Sequence, residues 1–205
     1  MMRPLLIVAA AAAWLLAAAS THAQVTLSLE SGGPDVAQLY VGQTATVDVR
    51  LDGLQPGWQL DALAASVVYD DALLGPPSIT AGPIVPDPPD SPWDFLTMAL
   101  PGYAEASFLT FGMDPAAHVT SDGVFFSFDV TPTEVGSGAF ALDFTDATQF
   151  NPADPFDPIH LWVDAGPPLA FTVVPEPGSA ALLAAAVLLL GTWRRPTGRR
   201  RNGRR

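Results

Sequence analysis

Apolar and polar residues alternate with a period of two along most of the middle of this chain. Val25, Leu27 and Leu29 interleave with Thr26, Ser28 and Glu30, and Ala45, Val47, Val49 and Leu51 interleave with Thr44, Thr46, Asp48 and Arg50. Successive side chains of a strand point to opposite faces, so the pattern predicts strands packed on one side and wet on the other, as in antiparallel sheets. Leu63, Ala65, Val67 and Tyr69 form a third inward row, although Ala62, Ala64, Ser66 and Val68 opposite them are weakly apolar too. Val124, Phe126, Phe128 and Val130 form the strongest row. Phe140, Leu142 and Phe144 follow, then Leu169, Phe171 and Val173, while Ser107 to Phe111 is a strand without a clear facing.

Turn chemistry separates these runs. Asp52-Gly53, Ser121-Asp122-Gly123 and Gly136-Ser137-Gly138 supply residues that tolerate positive φ. Proline concentrates in Gly75–Pro92 and Asn151–Pro168, which predicts surface connections or edges, because proline cannot donate to a central ladder. Asp70 to Leu74 has room for one short helical turn. Seven or more short strands with such turns predict an all-β fold, a jelly-roll or Greek-key β-sandwich, over residues 24–174.

The two ends read differently. Met1-Met2-Arg3, an apolar run from Leu5 to Ala19 and then Ser20-Thr21-His22-Ala23 give the charged, apolar and small-residue regions of a secretory signal peptide over 1–23. Cleavage after Ala23 would leave Gln24 first. Residues 175–205 open with Pro175-Glu176-Pro177, pass through an apolar stretch ending in Trp193, and close on an arginine-rich tail. Gly178 to Trp193 would span about 24 Å as a helix, a marginal crossing for a bilayer core. Trp193 stands where an interfacial aromatic belongs, and Arg194, Arg195 and the following arginines favour a cytoplasmic tail.

Charge sharpens this division. Seven of the nine arginines lie in the last twelve residues and lysine is absent. Residues 24–174 therefore carry Arg50 alone against 20 acids, a formal charge of −19. Such a surface repels phosphate backbones and excludes nucleic-acid binding. The absence of cysteine excludes disulfides, zinc–thiolate sites and thiol nucleophiles.

Two resemblances rest on specific residues. Val174-Pro175-Glu176-Pro177-Gly178, a short hydrophobic helix and then Arg194-Arg195 resemble the PEP-CTERM sorting signal of Gram-negative bacteria. That resemblance implies export and handling by an exosortase, a membrane enzyme that processes the tail near the motif. Val41 to Val49, the stretch Leu60 to Leu74 with Val67-Val68-Tyr69-Asp70-Asp71, and Asp122-Gly123 through Val130 with Ala139 to Phe144 are similar to cohesin-like modules. Asp71 stands where those modules usually have proline. The likeness implies a nine-stranded jelly roll, related to carbohydrate-binding modules, that binds or scaffolds other molecules.

The candidate chemistry is sparse. His118 and His160 each lie in a predicted loop without a metal-type partner nearby, and a solvated loop histidine is expected at both. There is no Gly-x-Ser-x-Gly elbow and no phosphate loop, so no catalytic residue is assigned. Asp87, Asp90 and Asp94 cluster in one proline-rich loop, and Asp154, Asp157 and Asp164 in another; Asp154 and Asp157 are candidate calcium ligands, although the EF-hand pattern is absent. Trp93 and Trp162, in or beside loops, are candidate platforms for stacking a sugar ring. The reading is a non-catalytic exported surface or matrix protein that binds protein or polysaccharide, tethered for a time to the membrane by its C-terminal helix. A secreted glycoside hydrolase using a carboxylate pair, or a calcium-dependent adhesin, is the alternative.

Overall fold

A computed structural model of the chain describes residues 24–33, 35–86, 94–110, 114–154 and 156–193. The expected signal peptide, Asp87, Asp90, Trp93, Arg194 and Arg195 lie outside them.

The alternating rows do become strands. β1 (Gln24–Ser31), β2 (Gln38–Tyr40), β3 (Ala45–Asp52), β4 (Leu60–Val68), β5 (Ser78–Ala81), β6 (Asp94–Leu100) and β7 (Tyr103–Leu109) come first. β8 (Gly123–Val130), β9 (Gly136–Gln149), β10 (Ile159–His160), β11 (Trp162–Ala165) and β12 (Leu169–Val174) complete the sandwich. One sheet runs β11-β1-β3-β8-β5 and the other β2-β12-β9-β4-β7-β6, with β10 added against β9. Twelve strands are thus described where the resemblance implies nine. The extra strands are short and flank proline-rich segments: β5 and β11 are the edges of the first sheet, as the proline-rich stretches containing them require.

The inner faces meet over one apolar core. Val25, Leu27, Val47, Val49, Leu51, Leu63, Ala65, Val67, Phe126, Phe128, Phe140 and Phe171 are all buried, as the alternation predicts. Phe128 of β8 and Phe140 of β9 meet edge-on across the two sheets with ring centroids 5.6 Å apart, and Phe171 packs on Phe140 at 4.7 Å. Such aromatic pairs stabilise beyond their buried area, and they clamp one sheet to the other.

Two bulges correct the predicted facings. In β8, Val49 faces Phe126 while Arg50 faces Val124, so Phe125 is an extra residue. The local kink turns Phe125 fully inward beside Phe126, and Val124 is left half-buried. In β9, Ser66 faces Phe144 and Val67 faces Leu142, so Asp143 is the extra residue. A one-residue slip moves every later side chain to the other face, and Phe144, expected inside, is 50% exposed.

Glycine use also departs from expectation at one turn. Gly53 has φ +89°, as a turn glycine should. Gly136 and Gly138 instead lie within β9; a Cβ on Gly138 would sit 2.7 Å from the Phe171 ring. That glycine is there to let an aromatic ring lie on the backbone. Asp70 to Leu74 makes the single turn expected of it, with Leu74 N–H donating to Asp70 O and Leu74 buried.

The C-terminal apolar stretch folds as α1 (Pro177–Trp193). Pro177 opens this helix, a position where its missing N–H costs nothing. Leu182, Val187, Leu188 and Leu189 are 62–74% exposed, so the helix presents apolar side chains to solvent rather than to the core. It has 17 residues, and among the described residues no helix is long and apolar enough to cross a membrane. The expected transmembrane helix is corrected accordingly: the apolar element is there, but it falls short of a span.

Candidate functional site

Strand alternation gives each sheet an outer face as well as an inner one, and the outer face of β6, β7, β4 and β9 is the unusual one. Four cross-strand rows cover it. Leu100, Tyr103, Val68 and Ala141 make the first, and Met98, Glu105, Ser66 and Phe144 the second. Leu96, Ser107, Ala64 and Asp146 make the third; Leu109, Ala62 and Thr148 share the fourth. Leu96 is 61% exposed, Leu100 and Phe144 50%, Met98 49% and Leu109 40%. Across this row pattern β4 contributes the smaller side chains, between the leucines of β6 and Phe144 of β9, and Ser66 among them is fully buried.

The reasons are local. β6 reads Phe95-Leu96-Thr97-Met98-Ala99-Leu100, with Thr97 and Ala99 exposed on the face that carries Phe95, and Phe95 anchors it by meeting Phe125 edge-on at 6.0 Å. With Phe95 turned toward the core, Leu96, Met98 and Leu100 must point out. Phe144 joins them through the Asp143 bulge. Acidic groups stand among these residues: Asp143 is exposed, and Glu105 and Asp146 are half-buried. Tyr103 OH donates to Glu105, and that bond holds the tyrosine above its ordinary pKa.

The opposite outer face, on β11, β1, β3, β8 and β5, is polar. Thr46 Oγ1 donates to Asp129 at 2.6 Å and Ser127 Oγ to Asp48 at 2.6 Å. Arg50 pairs with Asp52 at 3.0 Å. At one edge Gln24 Nε2 reaches Asp164 at 3.3 Å, and Trp162 beside them is 68% exposed.

The remaining residues singled out in the sequence are dispersed. Asp154 and Asp157 are exposed in the β9–β10 connection, where Asp154 accepts Phe156 N–H and Asn151 Nδ2 donates to Asp157 O. Among the described residues no group of three or more His, Cys, Asp or Glu side chains is placed to hold a metal. His160 is exposed in β10, but His118 corrects the expectation of a solvated loop histidine. It is 3% exposed, its Nδ1 lies 2.9 Å from Asp114 O, and its ring rests on Phe150 with centroids 4.8 Å apart. Val174 ends β12, and Pro175, Glu176, Pro177 and Gly178 are exposed between the sandwich and the body of α1, which ends at Trp193.

The apolar outer face escaped the sequence reading for two reasons. β6 lacks the alternation that marks a strand, and the bulge that turns Phe144 outward leaves no sequence signal. The weakly apolar second face of β4, Ala62 to Val68, was the one visible trace.

No family model matches the sequence, and no curated protein matches it. Solved structures do. The seventh type I cohesin of ScaB from Pseudobacteroides cellulosolvens superposes with a TM-score of 0.59 at 14% identity, covering 75% of this chain and 94% of that one. The sixth cohesin of scaffoldin B from Acetivibrio cellulolyticus, solved in complex with a Cel5 dockerin, gives 0.54 at 19% identity, covering 75% and 99%. A Clostridium thermocellum cohesin, Coh-OlpC, solved in a type I cohesin–dockerin complex, gives 0.54 at 13% identity over 75% and 94%. The two-sheet sandwich of this chain has the fold of the type I cohesin modules.

Proposed function

We propose that this chain is a non-catalytic, exported surface protein whose sandwich holds a partner protein against the outer face of β6, β7, β4 and β9. The observation that carries this reading is the row of Leu96, Met98 and Leu100, with Leu109 and Phe144, left standing in water. Soluble proteins rarely leave contiguous apolar surface uncovered unless it is a binding site. The fold adds support, since two of the similar cohesins were solved with dockerin modules bound. A helix of about 10 Å diameter has the right breadth for a face three strand spacings wide. Glu105, Asp143 and Asp146 lie on this face, whereas Arg50, the one arginine of residues 24–174, which have no lysine, lies on the other sheet. The complementary partner is therefore apolar at its centre and basic at its rim.

Export and sorting belong to the same proposal and rest on the ends of the chain. The signal-peptide pattern directs the chain through the inner membrane. Pro175-Glu176-Pro177, exposed just after β12, presents a recognition motif, and α1 brings it to the membrane as a short apolar element that does not suit a permanent span. An exosortase-type enzyme then removes the tail near Pro177, releasing the sandwich to the surface or matrix.

Each half has its own test. Leu96→Asp/Met98→Asp should weaken partner binding by about a hundredfold, the scale of losing two central interface side chains; undiminished binding would remove the docking face. Mass spectrometry of the surface-exposed protein should find a C-terminus near Pro177, and Pro175→Ala/Glu176→Ala/Pro177→Ala should leave an uncleaved, membrane-retained precursor. Surface protein that still carries Arg194–Arg205 would refute the processing step.

A further inference from the structure

Trp162 is a large apolar group standing in the polar outer face, on the sheet opposite the proposed docking face. Its orientation is fixed by its neighbours: Leu161 is 7% exposed and Val163 packs against the core, so Trp162 between them points out and is 68% exposed. The parallel ladder of β11 on β1 holds the backbone, with Trp162 in register with Gln24 and Asp164 with Thr26. Trp58, by contrast, is partly buried against the core. Trp162 does not serve the core; its strand turns it away from it.

We propose that Trp162, with Gln24 and Asp164 beside it, is a stacking platform for a neutral polysaccharide chain. A pyranose ring offers one apolar C–H face to an aromatic plane and points its equatorial hydroxyls sideways. Those hydroxyls need mixed donors and acceptors at the rim of the ring. Neighbouring strands lie about 4.8 Å apart and same-face residues about 6.6 Å apart along a strand, so the Gln24–Asp164 pair stands at that reach. The pair is already organised by its 3.3 Å bond, and it combines amide N–H donors with carboxylate and carbonyl acceptors. Farther along the same face stand Thr26, Ser28, Asp52 and Arg50, a hydroxyl-rich track for further sugar units. β11 is the edge strand of its sheet.

Charge selects the class of glycan. Glu30, Asp48, Asp52, Asp129 and Asp164 share this sheet, and Arg50 is paired with Asp52. A polyuronate or sulfated chain meets like charge everywhere on it. An uncharged hexose or pentose polymer does not.

The site is separate from the docking face, so each can fail alone. Affinity electrophoresis of the full-length chain through soluble β-1,4-glucan, xylan, mannan, α-glucan and a polyuronate tests it. At least one neutral glycan should retard the wild type, and the polyuronate should not. Trp162→Ala should weaken retardation by about tenfold or more, the scale of one lost stacking contact. Trp162→Phe should keep part of it, and Gln24→Ala/Asp164→Ala should lose several-fold with the indole intact. Melting curves of these variants should match the wild type, since the side chains are exposed. Leu96→Asp/Met98→Asp should bind glycan normally. Retardation by none of the neutral glycans, equal retardation of Trp162→Ala, or preferential binding of the polyuronate would each overturn the assignment.

Discussion

On the outer face of β6, β7, β4 and β9, leucine, methionine and phenylalanine stand in water; on the outer face of β1, β3 and β8 the same positions carry Ser28, Glu30, Thr46, Asp48, Ser127 and Asp129. Both sheets alternate with the same period and turn equally apolar rows toward the common core, so folding treats them alike. What differs is what each leaves outside. The polar face satisfies itself, with Thr46 bonded to Asp129 and Ser127 to Asp48. On the apolar face Tyr103 bonds Glu105, but Leu96, Met98, Leu100 and Phe144 stay uncovered. Exposed leucine on an edge strand invites misassociation, and the proposed partner would cover it.

The comparison breaks most sharply at the core. Phe128→Ala removes a fully buried ring that joins both sheets through Tyr69, Phe126 and Phe140, and should cost about 3–5 kcal/mol by chemical denaturation. A loss below about 1 kcal/mol would mean that the two sheets do not share one core. Leu96→Asp/Met98→Asp should instead change stability by no more than about 0.5 kcal/mol, because neither side chain is buried, while weakening partner binding by about a hundredfold. A large loss of stability there would make those residues structural. A smaller effect sharpens the inner boundary. Burial pushes Tyr69 up to about 12. Its neutral form is favoured in the fold, so the stability it supports is intact below the ordinary tyrosine value of about 10 and drains away as pH rises toward 12. The melting temperature should fall through that window, and Tyr69→Phe should flatten part of the fall; an unchanged slope in Tyr69→Phe would place the ring in solvent.

Much of the fold could be read from the sequence, because the inward rows of β1, β3, β4 and β12 keep strict alternation and the fold obeys it. The reading failed where an extra residue interrupts the register. Phe125 and Phe144 traded sides at bulges that no residue type announces, and Gly138 looked like a turn although a phenylalanine ring explains it. β5, β10 and β11 were hidden by their shortness within proline-rich stretches. The candidate docking face was nearly invisible for the same physical reason that makes it useful: its apolar residues break the polar half of the pattern, so β6 looked like no strand. Trp162 was legible as a candidate platform, but its neighbours Gln24 and Asp164 come together only through the parallel pairing of β11 with β1.

Site-specific photocrosslinking on the producing cell tests the central claim most directly. A photoreactive phenylalanine analogue at Met98, on the apolar outer face, should yield an adduct of one defined mass, and the same analogue at Ser127, on the polar outer face, should not. That adduct should contain a protein with basic residues flanking an apolar contact segment. No adduct at Met98, or equal yields at Met98 and Ser127, would contradict a partner seated on β6, β7, β4 and β9.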